Sequence, residues 1–480
     1  MILQCWLFFN DMPGAVMHLS ARAACPVWSN VRPMKNCLIL LLLVRTGVSF
    51  AQPIHETIDS YMQAANHARL FNGMVLVSHH DSIILQKGYG WRDLTSKTPP
   101  DSLSQFQIGS LTKSFTSTLI LQLQEKGLLR LNDTLGKYFP FYRIGSGVTI
   151  EQLLAHTGGI YEYSRDPVFM ESIYSGHFSQ QDFWNMVKDQ PLDFPPGSQY
   201  RYSNCGYLIL GYLAEKVTGK PYWQLVREGI FSKAGMQHSG FDFAMARKPY
   251  KTTGYERMYS TPVEPARIVD SSYSYSAGAI YSTVSDLYRF GAALMGGRLI
   301  SDTSLKKAFT PVLAHYGYGW ATQQMLNKQV IMHEGAIPGF LTLMALLPED
   351  HYSVILLDNN RDPGTDLRRC FADLFKILYH QPYVLPRLAI QLPPGSLTSY
   401  IGDYELVDNP NFKGHIRLDN GRLTIAWNTD KPEELFAEKK DFFFINTYDL
   451  QLEFSRDSTG KINGFNAFSG GKKFVYRRIG

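Results

Sequence analysis

Cysteine is scarce in this chain, and its scarcity excludes several classes of protein. The 480 residues include five cysteines, of which only Cys205 and Cys370 lie beyond residue 51. Two cysteines can form at most one disulfide, so we expect no disulfide scaffold and leave their pairing open. The chain also lacks C-x-x-C, H-E-x-x-H and similar metal-ligand spacings. We therefore expect no structural or catalytic metal and no cofactor.

Neither basic nor acidic residues are in large excess. The formal net charge is +5, and the first 51 residues carry four basic residues and one acid, which leaves +2 for the remainder. This near-neutral balance gives no indication of a nucleic-acid partner. No apolar run is long enough to span a bilayer, so we expect no transmembrane segment in the mature chain.

Residues 34–51 have the pattern of a signal peptide. A short basic stretch precedes an apolar core at 37–44, and 49–51 offer small residues at the positions that a signal peptidase needs. We expect cleavage after Ala51 and a periplasmic or secreted protein. The residues upstream have no evident role, so translation is expected to start at Met34. The alternative for the apolar core is a buried strand.

The patterning of residues 52–381 predicts one α+β domain. Apolar runs of strand length occur near both ends of this region, and a mixed, largely helical stretch at 160–250 separates them. Short turns join consecutive strands, so we expect a largely antiparallel sheet flanked by helices with a helical region inserted. The predicted helices are 55–67, the Ser110 helix to about 127, 149–156, 283–295 and 366–378; the predicted strands are a hairpin within 71–89, then 330–333, 340–347 and 353–357.

The last part of the chain differs in kind. Residues 382–396 contain four prolines, which is typical of a linker. From 397 to 480, short apolar runs alternate with turns such as Asp419-Asn420-Gly421. Regular spacing of this sort predicts a small all-β barrel or sandwich.

Ser110 and Lys113 form the most informative motif. Residues three apart on a helix share a face, so the lysine amine can assist deprotonation of the serine hydroxyl, which is otherwise a poor nucleophile. The chain has three other S-x-x-K patterns, at Ser304, Ser458 and Ser469. The Ser110 copy differs because it opens an apolar helix, whose N-terminal dipole favours a developing alkoxide.

Tyr202-Ser203-Asn204 is a second candidate site segment. Tyr202 offers a phenol that can shuttle a proton, and Asn204 offers both a donor and an acceptor to a substrate amide. The structural alternative is a turn in an aromatic-rich region.

Together these segments resemble the serine β-lactamase and penicillin-binding-protein superfamily, in its class C-like branch, which also holds D-stereospecific peptidases and esterases. The resemblance spans roughly residues 55–380. It rests on residues 106–113, 153–159, 194–204, 276–278, 318–320 and 333–340, which occur in the family's order. In that family S-x-x-K carries the nucleophile and its lysine.

The third family element is a strand-borne K-T-G or H-x-G. H-x-G occurs at His156, His238, His315 and His333. Only His333-Glu334-Gly335 follows an apolar strand-like run and leads into another strand, so we assign it this role. His156 precedes Tyr202, which is the wrong order for this element, so we expect its role to be structural.

The resemblance implies a role for each site residue. Ser110 attacks a carbonyl, while Lys113 and Tyr202 move its proton. The backbone N–H groups of Ser110 and Ala336 form the oxyanion hole, where each donor is typically worth about 3 kcal/mol. Asn204 holds the substrate amide, His333 lines the site and assists a substrate carboxylate or the proton network, and Gly335 lets a substrate backbone approach.

One departure from the family affects the expected activity. A class C β-lactamase carries Lys-Thr-Gly where this chain has His-Glu-Gly, and Glu334 adds a negative charge unless it points to the other face of the sheet. We therefore expect a serine hydrolase that cleaves a small peptide, amide or ester, such as a D-amino-acid peptide, through an acyl-enzyme. The alternatives are a true class C-like β-lactamase and a non-catalytic binding or sensor protein on the same fold.

Residues 397–480 resemble the lipocalin-like β module found in some family members. The interior of such a module could hold an apolar ligand, and the alternative is a packed core that only supports the catalytic domain.

Overall fold

The computed structural model describes residues 52–166, 169–170, 173–174, 176–246, 248–260, 262–393, 395–445 and 448–479. The expected signal peptide, its cleavage site and the start at Met34 lie outside these residues. Within the described ranges, no helix is both long enough and apolar enough to cross a membrane.

Helices account for much of the described chain between residues 52 and 380. The α-helices are α1 (Ile54–His67), α2 (Thr112–Glu125), α3 (Leu135–Tyr138), α4 (Ile150–Leu154), α5 (Gln180–Val187), α6 (Asn204–Thr218), α7 (Tyr222–Val226), α8 (Ser232–Ala234), α9 (Ser271–Gly278), α10 (Val284–Met295), α11 (Asp302–Phe309) and α12 (Leu367–Leu378). A capping box between Thr149 and Gln152 opens α4.

In the first part of the chain the strands form a six-stranded sheet and two two-stranded sheets, and in the last part they form a nine-stranded sheet. They are β1 (Gly73–His79), β2 (Ser82–Tyr89), β3 (Phe106–Gln107), β4 (Tyr255–Arg257), β5 (Glu264–Pro265), β6 (Tyr281–Ser282), β7 (Ala321–Met325), β8 (Lys328–Ile337), β9 (Phe340–Leu347), β10 (Tyr352–Asp358), β11 (Gly402–Leu406), β12 (Asn409–Asp419), β13 (Arg422–Trp427), β14 (Glu433–Glu434), β15 (Phe436–Lys439), β16 (Phe442–Phe444), β17 (Gln451–Arg456), β18 (Ile462–Ser469) and β19 (Lys472–Ile479).

In addition to the two-stranded sheets β3-β6 and β4-β5, the first part of the chain forms the main sheet, which has six strands in the order β2-β1-β10-β9-β8-β7. All of its pairings are antiparallel, and β1 pairs with β10 across the whole inserted helical region. The α+β class, the largely antiparallel sheet and the inserted helices are thereby confirmed.

Each face of this sheet carries its own hydrophobic cluster. Because side chains alternate along a strand, Ile331 of β8 faces the cluster that contains α2 and α6, while Val330 and Met332 face the cluster that contains α1 and α12. The odd-numbered residues of β8 from 331 to 337 therefore share the α2 face, and Glu334 belongs to the opposite face. This alternation determines which residues of the His-Glu-Gly motif can reach Ser110.

Helix α2 lies at the centre of the first cluster, with every residue from Thr112 to Leu123 buried. Its small hydroxyl residues bond to carbonyl groups of neighbouring segments: Ser114 Oγ donates to Gly319 O at 2.7 Å and Thr116 Oγ1 to Ser276 O at 2.6 Å. Buried hydroxyls need such partners, and each bond contributes about 1 kcal/mol. The helix thus fixes the segments at 276–278 and 318–320 around the start of the Ser110 motif.

The last 80 residues form a nine-stranded antiparallel sheet, in the order β14-β13-β12-β11-β19-β18-β17-β16-β15. Its two edge strands, β14 and β15, are separated in the chain only by Leu435, so the sheet curls into a nearly closed barrel. The predicted all-β C-terminal barrel is confirmed. Its interior holds a cluster of buried aromatic side chains: Tyr400, Tyr404, Phe443, Phe454 and Phe465. This filled interior favours the packed core over an apolar ligand site.

The two cysteines beyond residue 51 do not pair. Cys205 and Cys370 are both buried and free. Cys205 belongs to the α2-side cluster and Cys370 to the α12-side cluster, so the sheet lies between them.

Candidate active site

Ser110 lies in a tight turn that leads into α2. Ile108 and Gly109 have φ values of −97° and +49°, and a 3₁₀ turn over Gly109–Leu111 precedes the α-helix. Position 109 requires glycine for two reasons. Its φ is in the left-handed region, and a Cβ atom there would lie 2.9 Å from the backbone nitrogen of Ala336. The turn therefore holds Ser110 and the end of β8 side by side.

Lys113 is fully buried and its amine is surrounded by three oxygen atoms. Nζ lies 3.0 Å from Ser110 Oγ, 2.8 Å from Asn204 Oδ1 and 2.8 Å from Ala277 O. Burial lowers the pKa of Lys113 to about 7, and the Glu162 carboxylate raises it against that effect. A substantial fraction of the amine is therefore neutral near neutral pH.

The three oxygens suit a neutral amine that acts as a base. The oxygens of Asn204 and Ala277 can only accept hydrogen bonds, so they take the two N–H groups of the neutral amine. The nitrogen lone pair then remains for the third neighbour, Ser110, whose hydroxyl can donate to it. This arrangement prepares the transfer of a proton from Ser110 to Lys113.

Tyr202 and Asn204 come from the start of α6. Ser203 caps this helix by accepting from Gly206 N, which places Asn204 as its first residue and Tyr202 just before it. The Tyr202 ring lies 4.8 Å from Lys113 Nζ. Burial raises the pKa of Tyr202, while a hydrogen bond with Ser110 lowers it in part. The structure thus brings Ser110, Lys113, Tyr202 and Asn204 together.

Sequence reasoning missed Glu162, a buried carboxylate behind Asn204. Its oxygens accept from Cys205 N at 3.2 Å and from Ser164 Oγ at 2.6 Å, and Asn204 Nδ2 lies 3.4 Å away. Asn204 is therefore placed between the lysine amine and this carboxylate, with its oxygen toward the amine. The only signal in the sequence is a single acid in an apolar and aromatic stretch after the His156-Thr157-Gly158-Gly159 motif.

His333 lies on the α2 face of β8, but both of its ring nitrogens bind protein groups. Nδ1 donates to Glu334 O at 2.7 Å, so Nε2 accepts from the Tyr316 hydroxyl at 2.9 Å. Burial and the nearby Lys113 charge lower the pKa of His333 to about 3. The ring is therefore neutral at neutral pH and offers no positive charge to a substrate carboxylate.

Glu334 points away from the site. Its carboxylate forms a bidentate ion pair with Arg368 of α12, at 2.6 Å and 2.7 Å. Arg368 lies on the opposite face of the sheet, so the extra negative charge that the sequence raised as a concern is turned away from Ser110 and paired.

Position 335 requires glycine for a reason that the sequence does not reveal. A Cβ atom on Gly335 would lie 1.9 Å from Ile108 O, so the backbone before Ser110 leaves no room for a side chain there. Gly335 therefore lets the segment before Ser110 approach β8. Ala336 follows it, is exposed, and lies against Gly109, which places its backbone beside that of Ser110.

His156 belongs to a buried aromatic cluster beneath the site. It has a φ of +59°, and its Nδ1 accepts from Ser203 N at 3.1 Å. Its ring centroid lies 4.3 Å from that of Tyr202 and 4.8 Å from that of Tyr316. Burial holds the pKa of His156 well below its usual range. These contacts position the residues before α6.

A strained residue precedes the carbonyl group that binds Lys113. Tyr275 has φ 36° and ψ −128°, two residues before Ala277. The Tyr275 hydroxyl donates to Glu215 at 2.6 Å, and its ring stacks on Tyr212 with centroids 5.1 Å apart. Strain of this kind persists only where the surroundings hold it, and the hydrogen bond to Glu215 and the stacking on Tyr212 hold Tyr275 two residues before the Ala277 carbonyl.

The site has no metal-ligand arrangement. Over the part of the chain that the structure describes, no group of three or more His, Cys, Asp or Glu side chains could hold a metal ion.

Comparisons with known proteins agree with this geometry. The family model described as Beta-lactamase matches residues 56–378, which is more than half of the chain. The chain belongs to the beta-lactamase family of serine hydrolases. A penicillin-binding protein of Bacillus subtilis (strain 168) is 28% identical over 416 residues, covering 80% of this chain and 90% of that protein.

Two solved structures are similar over most of their length. An octameric penicillin-binding protein homologue from Pyrococcus abyssi has a TM-score of 0.62 at 20% identity, covering 88% of this chain and 99% of that chain. A D-stereospecific amidohydrolase from Streptomyces sp. has a TM-score of 0.57 at 25% identity, covering 67% of this chain and 98% of that chain. The first structure supports the fold over most of the chain. The second supports it over about two thirds of the chain.

Proposed function

We propose that this beta-lactamase family member is an exported serine hydrolase that cleaves an amide or ester, such as a D-amino-acid peptide or a small ester. Ser110 attacks the carbonyl carbon and its proton passes to neutral Lys113, with Tyr202 as a second proton carrier. Collapse of the tetrahedral intermediate expels the amine or alcohol, which takes up that proton. Water then hydrolyses the acyl-enzyme and regenerates Ser110.

One observation carries this proposal: the buried amine of Lys113 has two obligate acceptors and one hydroxyl around it. A structural lysine would be charged and paired with a carboxylate. Here the Glu162 carboxylate is joined to the amine through Asn204, so the amine keeps a lone pair for Ser110. The backbone N–H groups of Ser110 and Ala336 are the proposed oxyanion donors, since their segments are in contact.

The β-lactamase alternative lacks the usual cation. His333 is neutral and both of its nitrogens are engaged, so it does not supply the charge that a Lys-Thr-Gly lysine gives to a β-lactam carboxylate. This favours amides and esters over efficient β-lactam turnover. A non-catalytic role is disfavoured because the complete proton-transfer group is present.

The proposed domain limits are a catalytic domain over 52–381, a linker over 382–396 and a lipocalin-like module over 397–480. We assign the module a supporting role, because its interior is filled by aromatic side chains.

A substrate panel tests the proposed reaction. p-Nitrophenyl esters, D- and L-amino-acid amides and nitrocefin are compared with the full chain and with Ser110→Ala. We expect Ser110-dependent turnover of esters or D-amino-acid amides that exceeds nitrocefin turnover. Nitrocefin turnover that matches the best ester would favour the β-lactamase alternative, and turnover that persists in Ser110→Ala would contradict the assignment of the nucleophile.

A further inference from the structure

A cavity of about 400 Å³ lies beside the Ser110 segment. Gln107, three residues before Ser110, forms part of one wall, and Pro338 and Phe340 at the β8–β9 turn form another. The remaining walls come from Phe243 and from residues within 92–98, 248–254 and 266–268. Two walls of the cavity therefore belong to segments that continue into the candidate active site, although none of the assigned catalytic side chains lines it.

Four cationic side chains line this cavity: Arg92, Lys248, Lys251 and Arg267. Asp93 is the acid among the lining residues, and neutral donors occupy its two oxygens. Ser96 binds one oxygen through its backbone N–H and its hydroxyl, and Thr253 Oγ1 donates to the other at 2.7 Å. The lining is thus strongly positive.

Only one of these four cations, Arg92, pairs with an acid among the described residues. Arg92 contacts Asp101 and Ser104 Oγ, each at 3.3 Å, and is 9% exposed. Among the residues that the structure describes, Lys248, Lys251 and Arg267 form no ion pair. Lys251 Nζ donates to Ala244 O at 3.2 Å, and the Arg267 guanidinium stacks 4.2 Å from the Tyr174 ring centroid. Lys248 and Arg267 are exposed and Lys251 is half-buried. Like charges that share a cavity repel one another, and a bound anion relieves this repulsion.

The surroundings of Lys251 agree with an anion site. Burial lowers the pKa of Lys251, and Lys248 lowers it further, while Asp242 raises it. A bound anion would supply a counter-charge for the two lysines that line the cavity.

We infer that this cavity binds an anionic group, a carboxylate or a phosphate, on a substrate whose scissile bond lies at Ser110. The inference rests on the proposed function for its link to a substrate. Anion binding itself does not require a reactive Ser110. The proposal gives the enzyme a preference for acidic substrates that the neutral His333 cannot provide.

Binding is measured directly on full-length Ser110→Ala protein. The thermal midpoint is followed with increasing inorganic phosphate or succinate against sodium chloride of equal ionic strength. We expect phosphate, succinate or both to raise the midpoint beyond chloride, and the two arms separate phosphate from carboxylate recognition. The Lys248→Gln/Arg267→Gln double variant removes two exposed cations and should weaken this binding about tenfold. A matched double variant, Lys306→Gln/Lys307→Gln on exposed positions of α11, should bind as the parent does.

Equal midpoints in all three salts would overturn the proposal, as would equal weakening in both double variants. Turnover then tests the link to the substrate. An N-succinyl D-amino-acid p-nitroanilide and its neutral succinamyl analogue are compared in the parent with Ser110 intact. The Lys248→Gln/Arg267→Gln change should raise KM about tenfold for the charged substrate alone, with kcat unchanged. Anion binding without any Ser110-dependent turnover would contradict the proposed function while leaving the anion site intact.

Discussion

The pH dependence of Ser110 acylation follows from the burial of Lys113. With a pKa of about 7, roughly half of the amine is neutral at pH 7, whereas an unperturbed lysine would be neutral in only about one molecule in 3,000. Burial therefore increases the reactive form by about 1,500-fold at this pH. The neutral form is the base, so acylation should rise with pH, level off above about pH 7 and fall about tenfold per unit well below it.

The Glu162→Gln variant tests the physical cause of this profile. Removing a nearby carboxylate destabilises the ammonium form, so the pKa of Lys113 should fall below about 7. At pH 6 a larger fraction of the amine would then be neutral than in the parent, and acylation should become several-fold faster, by at most about tenfold. Replacing a buried acid next to the site is thus expected to accelerate the reaction in mild acid.

The assay is the first-order rate of labelling by a fluorophosphonate probe between pH 4.5 and 9. Glu228→Gln, which removes an exposed carboxylate that pairs with Lys220, is the matched control and should keep the parent profile. A midpoint that stays in place or rises in Glu162→Gln would refute the electrostatic argument. So would a loss of labelling at every pH, because Glu162 would then be needed for geometry.

Three further predictions concern the framework of the site. Gly335→Ala places a Cβ 1.9 Å from a backbone oxygen and should lower the free energy of unfolding by about 3 kcal/mol in urea, whereas Gly364→Ala, with no atom within 4 Å, should change it little. Tyr275→Phe removes the hydrogen bond to Glu215, so we expect a loss of about 1–3 kcal/mol and a lower kcat at similar KM. Glu334→Gln should leave ester turnover within about twofold, because this carboxylate faces away from the site; a larger loss would mean that it acts on the substrate side.

The sequence was sufficient for the fold and for the main residues around Ser110. Alternating apolar strands and one strongly amphipathic final helix are local patterns, so β9 and α12 agree with the prediction almost to the residue. Ser110, Lys113, Tyr202 and Asn204 were found because short motifs hold them in the family's order. Their convergence on one amine is a property of the folded chain.

The features that sequence reasoning missed depend on long-range contacts. Glu162 belongs to no motif, and its importance arises because Asn204, 42 residues away, joins it to the buried amine. The steric requirement for glycine at position 335 was missed because the carbonyl that approaches it comes from Ile108, far away in the chain. No local pattern reveals which backbone will lie against a glycine.

Intact-protein and peptide mass spectrometry after fluorophosphonate treatment tests the central claim most directly. The account predicts a single adduct that maps to Ser110, is absent in Ser110→Ala and persists in Ser304→Ala, whose serine belongs to another S-x-x-K pattern. Labelling should also disappear in Lys113→Ala, because no base would then accept the Ser110 proton. An adduct on any other residue, or full labelling without Ser110 or Lys113, would contradict the account.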